Sequence, residues 1–313
     1  MAIFSSIWDD FRNAFRSGNM VTKLVLVNFS VFVLVKIAYV ALWMSMGGQE
    51  VRGLFFEGLR HLCLPADFMG LLTHPWTPLT SIFLHESLFH LINNIIGLYL
   101  FGSIVSDLVG DRRVLPIYLA GGLVGGLLFI VSANLVPHIG AYALGASGAV
   151  MALGGAALIL APDYRVPLLL LGEVKVKYIV LVLLLLDLVG IANQSNTGGH
   201  VAHLGGFFFG AWFVYRLRDG YDMALPINRL LDRISGWFKP GSRPRAQQPV
   251  VSRPLQKVYQ NPLGKPSHAP FSNPASERAF QEKLDAILDK IKAEGYENLT
   301  PEEKEFLFLA SKK

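Results

Sequence analysis

The sequence predicts an all-α, polytopic membrane protein with a bundle of six transmembrane helices and a short cytosolic helical hairpin at its C-terminal end. Three observations lead there. The 313 residues are 52% hydrophobic and only 16% charged, which is more apolar surface than one soluble core of ordinary proportions would bury. Apolar stretches of membrane-crossing length recur through the first two thirds of the chain. Lys and Arg, finally, concentrate in alternate loops between those stretches.

Residues 1–20 read as an interfacial helix, with Ile3, Phe4, Ile7, Trp8, Phe11 and Phe15 on one helical face and Asp9, Asp10, Arg12 and Arg16 elsewhere. This is a poor signal peptide: acids stand where a basic end belongs, Lys36 interrupts the apolar run, and no small-residue cleavage site follows. Residues 21–217 form the membrane domain, with spans expected at 21–43, 83–105, 114–136, 145–161, 174–192 and 201–217. Between the first two spans, residues 47–80 are too polar and too broken by Gly and Pro to cross the bilayer, yet rich in Leu, Phe and Trp. They are expected to lie on the membrane surface.

Arg112 and Arg113 follow the second span, Arg165, Lys175 and Lys177 the fourth, and Arg216 and Arg218 the sixth, whereas the loops after the third and fifth carry neither Lys nor Arg. Both termini are therefore expected on the cytoplasmic side; Arg52 and Arg60 in the long first loop weaken this asymmetry without reversing it. With no transit segment in view, the expected address is a bacterial inner (plasma) membrane.

Beyond the bundle, residues 218–239 place Ile227, Leu230, Leu231, Ile234, Trp237 and Phe238 at helical spacing with Arg229, Arg233 and Lys239 between them. That pattern suits a helix lying on an anionic inner leaflet. Residues 240–274 are a Pro-rich, basic linker. In 275–313, Phe280, Leu284, Ile287, Leu288 and Ile291 form an amphipathic stripe ending at Gly295, and Thr300, Pro301 and Glu303 supply an N-cap, an N1 proline and a capping-box acid for a last helix. This hairpin is either a solubilising tail or a docking element for a cytosolic partner. The net charge of +5 is explained by the membrane surface and calls for no nucleic acid. The lone Cys63 excludes an internal disulfide and, without Cys or His nearby at ligand spacing, gives no sign of a structural metal site.

With the termini inside, the second, fourth and sixth spans all begin at the outer face, so their first turns share one depth. Those turns hold His85, His90 and Asn94, then Ser147, then His200 and His203. Polar side chains inside a membrane are costly and mark sites. The fourth span is also short: from Ser147 to Pro162 there are about fifteen helical residues, roughly 22 Å against a hydrocarbon core of about 30 Å. Its start is sunk, and the non-helical 140–146 loop before it requires a protein-covered or water-filled surrounding. Water at Ser147 is what a hydrolase needs. His90 and Asn94, four apart, face one way and could donate to an oxyanion together with the Ser147 N–H, or act as interhelical glue. His203 is the candidate base and His200 the other, preferred as a cavity-lining residue; His85 is assigned to the loop or outer cavity. Gly199, Gly206 and Gly210, with Gly154 and Gly155, would let the fourth and sixth helices approach closely.

Gly145-Ala146-Ser147-Gly148, then Ala202-His203-Leu204-Gly205-Gly206 with Gly210, then His85, His90 and Asn94 together resemble the signature of rhomboid proteases over residues 21–217. The resemblance implies a six-helix bundle, no cofactor, and a Ser–His dyad without an acid that cuts single-span membrane proteins near the membrane surface. By position, Ser147 resembles the nucleophile, His203 the general base, and His90 and Asn94 the oxyanion donors. Three departures stand out. Met151 replaces an aromatic residue that packs on the base, the Trp-Arg pair of the first loop reads Trp76-Thr77, and Gly102 to Asp107 is one residue longer than the family spacing.

Other readings fit less well. His85-Glu86 followed by His90 is one residue too long for a helical His-Glu-x-x-His zinc site, and Ala149 occupies the last glycine of a Gly-x-Ser-x-Gly elbow. A silent rhomboid-like scaffold and a transporter are the rivals, the latter lacking an inverted repeat of broken helices. Asp187 and Lys36 read as isolated charges near the outer surface, with a mutual pairing left open.

Overall fold

The computed structural model describes residues 2–46, 50–137, 139–168, 172–237, 282–287, 289–291 and 299–311. They belong to two units, Met1–Ser252 and Arg253–Lys313. The expected linker 240–274 lies outside the described residues, as do Phe238, Lys239, Phe280, Leu288 and Gly295.

The first unit runs α1 (Ala2–Ser17), α2 (Met20–Met46), α3 (Glu50–Arg60), β1 (Leu64–Pro65), α4 (Phe68–Thr73), α5 (Thr77–Thr80), α6 (Leu88–Val109), α7 (Val114–Leu135), β2 (Tyr142–Ala143), α8 (Ser147–Leu160), β3 (Arg165–Leu168), β4 (Gly172–Lys175), α9 (Val176–Ala192), α10 (Thr197–Arg218) and α11 (Ala224–Trp237). Among the described residues, three stretches are long and apolar enough to cross a membrane: α2, α6 and the segment Asp111–Leu135 that contains α7. Large apolar side chains such as Leu34, Ile37, Phe89, Leu127, Leu185 and Phe208 point outward and exposed, the surface a lipid solvent accommodates.

α8 is the hub of this unit. Every residue from Gly148 to Ala157 is buried, so the helix has no solvent face and is enclosed by α6, α7 and α10. Small side chains make the enclosure tight. A Cβ on Gly206 would lie 1.9 Å from the Gly148 carbonyl oxygen, one on Gly210 1.8 Å from that of Ala152, and one on Gly155 2.2 Å from that of Phe207. α8 and α10 thus touch backbone to backbone, which close approach without Cβ atoms permits. Gly154 faces the Phe101 ring instead and Gly199 the Asn196 side chain, so these two do not serve the α8–α10 contact. Gly121 and Gly125 do the same service for α7, against Ala152 and the Ala202 carbonyl.

The helices at the six expected positions differ in their ends. α6 starts at Leu88 rather than at 83, because Ser87 Oγ caps it by accepting from His90 N at 3.2 Å while Ser81–Phe83 forms a 3-10 turn. His85 therefore lies in the loop before the helix and not in its first turn. α10 starts at Thr197, earlier than 201, its Gly198 packed against the Phe129 ring. The β3–β4 hairpin was not foreseen; it pairs Val166 with Val174 and Leu168 with Gly172. Residues 50–80 are broken into short elements, and β1 pairs antiparallel with β2, Leu64 opposite Ala143, so the long first loop is pinned to the segment entering α8.

Polar contacts fix the other end. Asp111 Oδ1 accepts from Met20 N at 2.8 Å, capping α2; Arg113 pairs with Asp222 at 2.7 Å and Arg112 with Asp232 at 2.9 Å, tying α11 to the turn before α7. In the second unit, the capping box is present at α12 (Pro301–Ser311): Thr300 N donates to Glu303 Oε2 at 2.8 Å and Glu303 N to Thr300 Oγ1 at 3.3 Å. Lys290, in the preceding helical stretch, pairs with Glu303 at 3.0 Å.

Gly206→Ala inserts a methyl where only a backbone oxygen fits. Overpacking of this kind costs about 1–3 kcal/mol, so the thermal transition in detergent is expected to fall by several degrees, and more for Gly210→Leu; an unchanged transition would contradict the α8–α10 contact.

Candidate functional site

Where α6, α8 and α10 begin and α9 ends, a cavity of about 880 Å³ opens among the helices. Ser147, His203, His90, Asn94, Asp187 and Met151 are among the residues that line it. Three separate helix starts therefore bring the four sequence candidates to one space.

Ser147 is the first residue of α8, half-buried. The N–H groups at the start of a helix lack intrahelical acceptors and stand at the positive end of its dipole. Gly145 sets the entry: it adopts φ +131°, a conformation L side chains rarely take, and its N–H donates to Ser81 O at 2.9 Å. A Cβ there would lie 2.9 Å from His90 Nε2 and 3.5 Å from Ser147 Oγ, so the imidazole and the hydroxyl flank the same small gap that only glycine leaves open. Among the described residues Ser147 Oγ forms no direct hydrogen bond to His203.

His90 and Asn94 occupy successive turns of α6. Asn94 is buried, and its Nδ2 donates to His90 O at 2.9 Å, which commits one amide hydrogen to the helix and leaves the other for the cavity. His85, in the preceding loop, is buried with its ring 5.2 Å from that of His90, edge to face.

Asp187 is the residue sequence reasoning missed. Far from standing alone at the surface, it is buried on α9, and its Oδ1 lies 2.7 Å from Nδ1 of His203 and 2.7 Å from Nδ1 of His200. The signal was available: a carboxylate inside an apolar helix must find a partner. Lys36 does not pair with it; its Nζ donates to Glu86 O at 3.1 Å and sits over the Phe32 ring. Nor is His200 among the residues lining the cavity. Its Nε2 packs on α9 where a Cβ on Gly190 would lie 2.1 Å away.

With a hydroxyl at a helix N-terminus, an imidazole across from it and two further side-chain donors, the cavity holds the parts of a nucleophilic acyl-transfer site. Residues 72–220 match the family described as the rhomboid domain. That stretch is a rhomboid domain. That match encloses the whole cavity, from the loop before α6 to the end of α10. A rhomboid-like relative, presenilin-associated rhomboid-like protein A, mitochondrial, of Danio rerio, is 30% identical over 43% of this chain and 35% of its own length. RHOMBOID-like protein 12, mitochondrial, of Arabidopsis thaliana is 28% identical over 68% of this chain and 62% of its own. Rhomboid protease GluP of Bacillus subtilis (strain 168) is 33% identical over 44% of this chain and 25% of its own. The chain thus spans about a third of the length of the first curated relatives it matches.

Accessibility of the cavity is directly testable, because the one native thiol, Cys63, is buried. Burial pushes Cys63 up to about 11, against a smaller opposing pull from Arg60. Ser147→Cys is expected to react with a small water-soluble maleimide at least about tenfold faster than Cys63 does in the wild type. Equal rates would mean that position 147 is dry.

Proposed function

We propose that this chain is an intramembrane serine endopeptidase that cleaves single-span membrane proteins near the outer membrane face. Ser147 is the nucleophile, His203 the general base, and His90, Asn94 and the Ser147 N–H the oxyanion donors. One observation carries this reading: Ser147, His203, His90 and Asn94, from three helices, line a single cavity at the N-terminus of a buried helix.

The chemistry follows from the placement. Ser147 Oγ attacks the scissile carbonyl carbon as its proton passes to His203, and the carbonyl π pair moves onto the oxygen beside the α8 N-terminus, His90 and Asn94. Preorganised donors of this kind lower the barrier by about 3–4 kcal/mol each. His203 then gives the proton to the leaving nitrogen as the C–N bond breaks. Water attacks the acyl carbon, loses a proton to His203, and Ser147 regains its hydrogen as the ester opens. No cofactor and no metal enters.

The remaining assignments belong to the same reading. α2, α6, α7, α8, α9 and α10 are the six spans, with α8 too short to cross alone and starting below the outer surface. The side bearing Arg112, Arg113, Arg216 and Arg218 is cytoplasmic and holds both termini, and the membrane is a bacterial plasma membrane, although relatives carry mitochondrial as well as bacterial names. α1 and α11 lie along the interface, and the second unit is a cytosolic hairpin free to bind a partner. The substrate is a transmembrane segment that enters laterally and unwinds beside Ser147.

A catalytically silent scaffold that binds transmembrane helices is the second reading, favoured by the missing Ser147–His203 hydrogen bond. Unliganded active sites commonly hold such bonds loose, so the geometry is compatible with catalysis. Labelling by a serine-directed fluorophosphonate separates the two. Wild type is expected to label, Ser147→Ala not at all, and His203→Ala at least about a hundredfold more slowly, while His200→Ala keeps much of the rate. Folded wild type that never labels would favour the scaffold, and equal losses from both histidines would defeat the base assignment.

A further inference from the structure

Asp187 has no part in a mechanism built from serine and histidine alone, yet it is buried on α9, with two imidazoles hydrogen-bonded to one of its oxygens. A desolvated carboxylate in an apolar helix is a standing cost that a folded protein keeps only with partners around it. Its partners here are Nδ1 of His203 and Nδ1 of His200, both at 2.7 Å from Oδ1, while Oδ2 is buried without a hydrogen bond.

We infer that Asp187 is the positioning residue of the site, holding His203 by Nδ1 and so making a Ser147–His203–Asp187 triad of what the family resemblance describes as a dyad. The inference rests on the protease reading above. Its physical content is tautomeric. A carboxylate only accepts, so the ring nitrogen facing it carries the hydrogen, and the other nitrogen, Nε2, keeps the lone pair that a base needs. During acylation the proton from Ser147 adds at Nε2, the Nδ1–H stays on the imidazole, and the carboxylate faces the imidazolium that results. Asp187 neither gains nor loses a proton, as in other serine–histidine–acid arrangements.

His200 completes the arrangement without being a second base. Its Nδ1 is spent on the same oxygen and its Nε2 is pressed against the α9 backbone at Gly190, away from the cavity. It gives Oδ1 of Asp187 a second contact beside that of His203, which helps to hold the carboxylate in place before any substrate arrives. The sequence separation explains the economy of the device. Asp187 lies in the C-terminal half of α9, and His200 and His203 lie one turn apart on the opening of α10, the two helices being joined by a short loop that turns through Gln194 and Asn196 in left-handed conformations.

The same three groups stand close enough to one another to chelate a divalent cation, with all ligand atoms within 4.8 Å. The proton-sharing arrangement and a metal-loaded one make opposite predictions. The experiment uses the full-length protein in liposomes and measures the limiting rate and half-saturation of fluorophosphonate labelling for wild type, Ser147→Ala, Asp187→Asn and Asp187→Glu, with and without a chelator. Asp187→Asn is expected to lower the limiting rate by at least about a hundredfold with half-saturation within threefold of wild type, and Asp187→Glu to recover at least a tenth of the wild-type rate. The chelator is expected to change nothing. Asp187→Asn labelling within twofold of wild type overturns the inference and leaves the protease reading standing. So does a wild type silenced by the chelator, because the cluster would then be a metal site. Failure of wild type itself to label sinks the protease reading instead. Should Asp187→Asn not fold, Asp187→Glu decides: a folded Glu variant as slow as His203→Ala overturns the inference.

Discussion

The bundle depends on backbone-to-backbone contact between α8 and α10. Where Gly206, Gly210 and Gly155 remove side chains from the seam, main-chain oxygens fill the space that a methyl would need. In lipid there is no hydrophobic force between helices, so close packing of this kind is what holds two of them together. With α6 and α7 closing the other sides of α8, a helix of only fourteen residues can sit inside the unit and begin at the cavity. Everything proposed for Ser147 follows from that recessed start: dipole, unpaired N–H groups, a glycine-gated entrance and a space where water is admissible.

Two further ties set how open the entrance is. β1 pairs with β2, so the segment leading into Ser147 is anchored by the long first loop, and Gly145 N–H is held by Ser81 O just before α6. The loops above the cavity are therefore coupled through backbone hydrogen bonds, and a substrate segment that displaced one would strain the other. The arginines at the far end, paired with Asp222 and Asp232, keep α11 against the turn that precedes α7. A site at one end and charge anchoring at the other is the polarity expected of a protein read by depth in a bilayer.

Much of this was legible from residue patterns, and the exceptions have physical causes. The depth argument, that alternate spans open on one layer, foresaw that Ser147, His90, Asn94 and His203 would meet, because it needs only span order and the helical repeat. Helix ends were less legible. Phe83 and Leu84 are apolar and read as span, but they plug a loop, and the start of α6 is decided by one Ser87 cap. Gly198 precedes the span expected at 201–217, although packing on Phe129 keeps it in α10. Asp187 was misjudged because a single acid carries no periodicity, and its partners are thirteen and sixteen residues away across a turn. Short strands are likewise invisible when, as with Leu64 and Ala143, the pairing is long-range and two residues wide.

The central claim is that a hydroxyl and an imidazole act together in a hydrated pocket inside the bilayer. The most direct test is to co-reconstitute wild type or Ser147→Ala with a panel of single-span membrane proteins and to map any new termini by mass spectrometry. Cleavage by wild type at one bond per substrate, close to the membrane surface on the side opposite the Arg112–Arg113 loop, and none by Ser147→Ala, is the predicted result. Fragments that persist with Ser147→Ala, or cuts only on the arginine-bearing side, would contradict it.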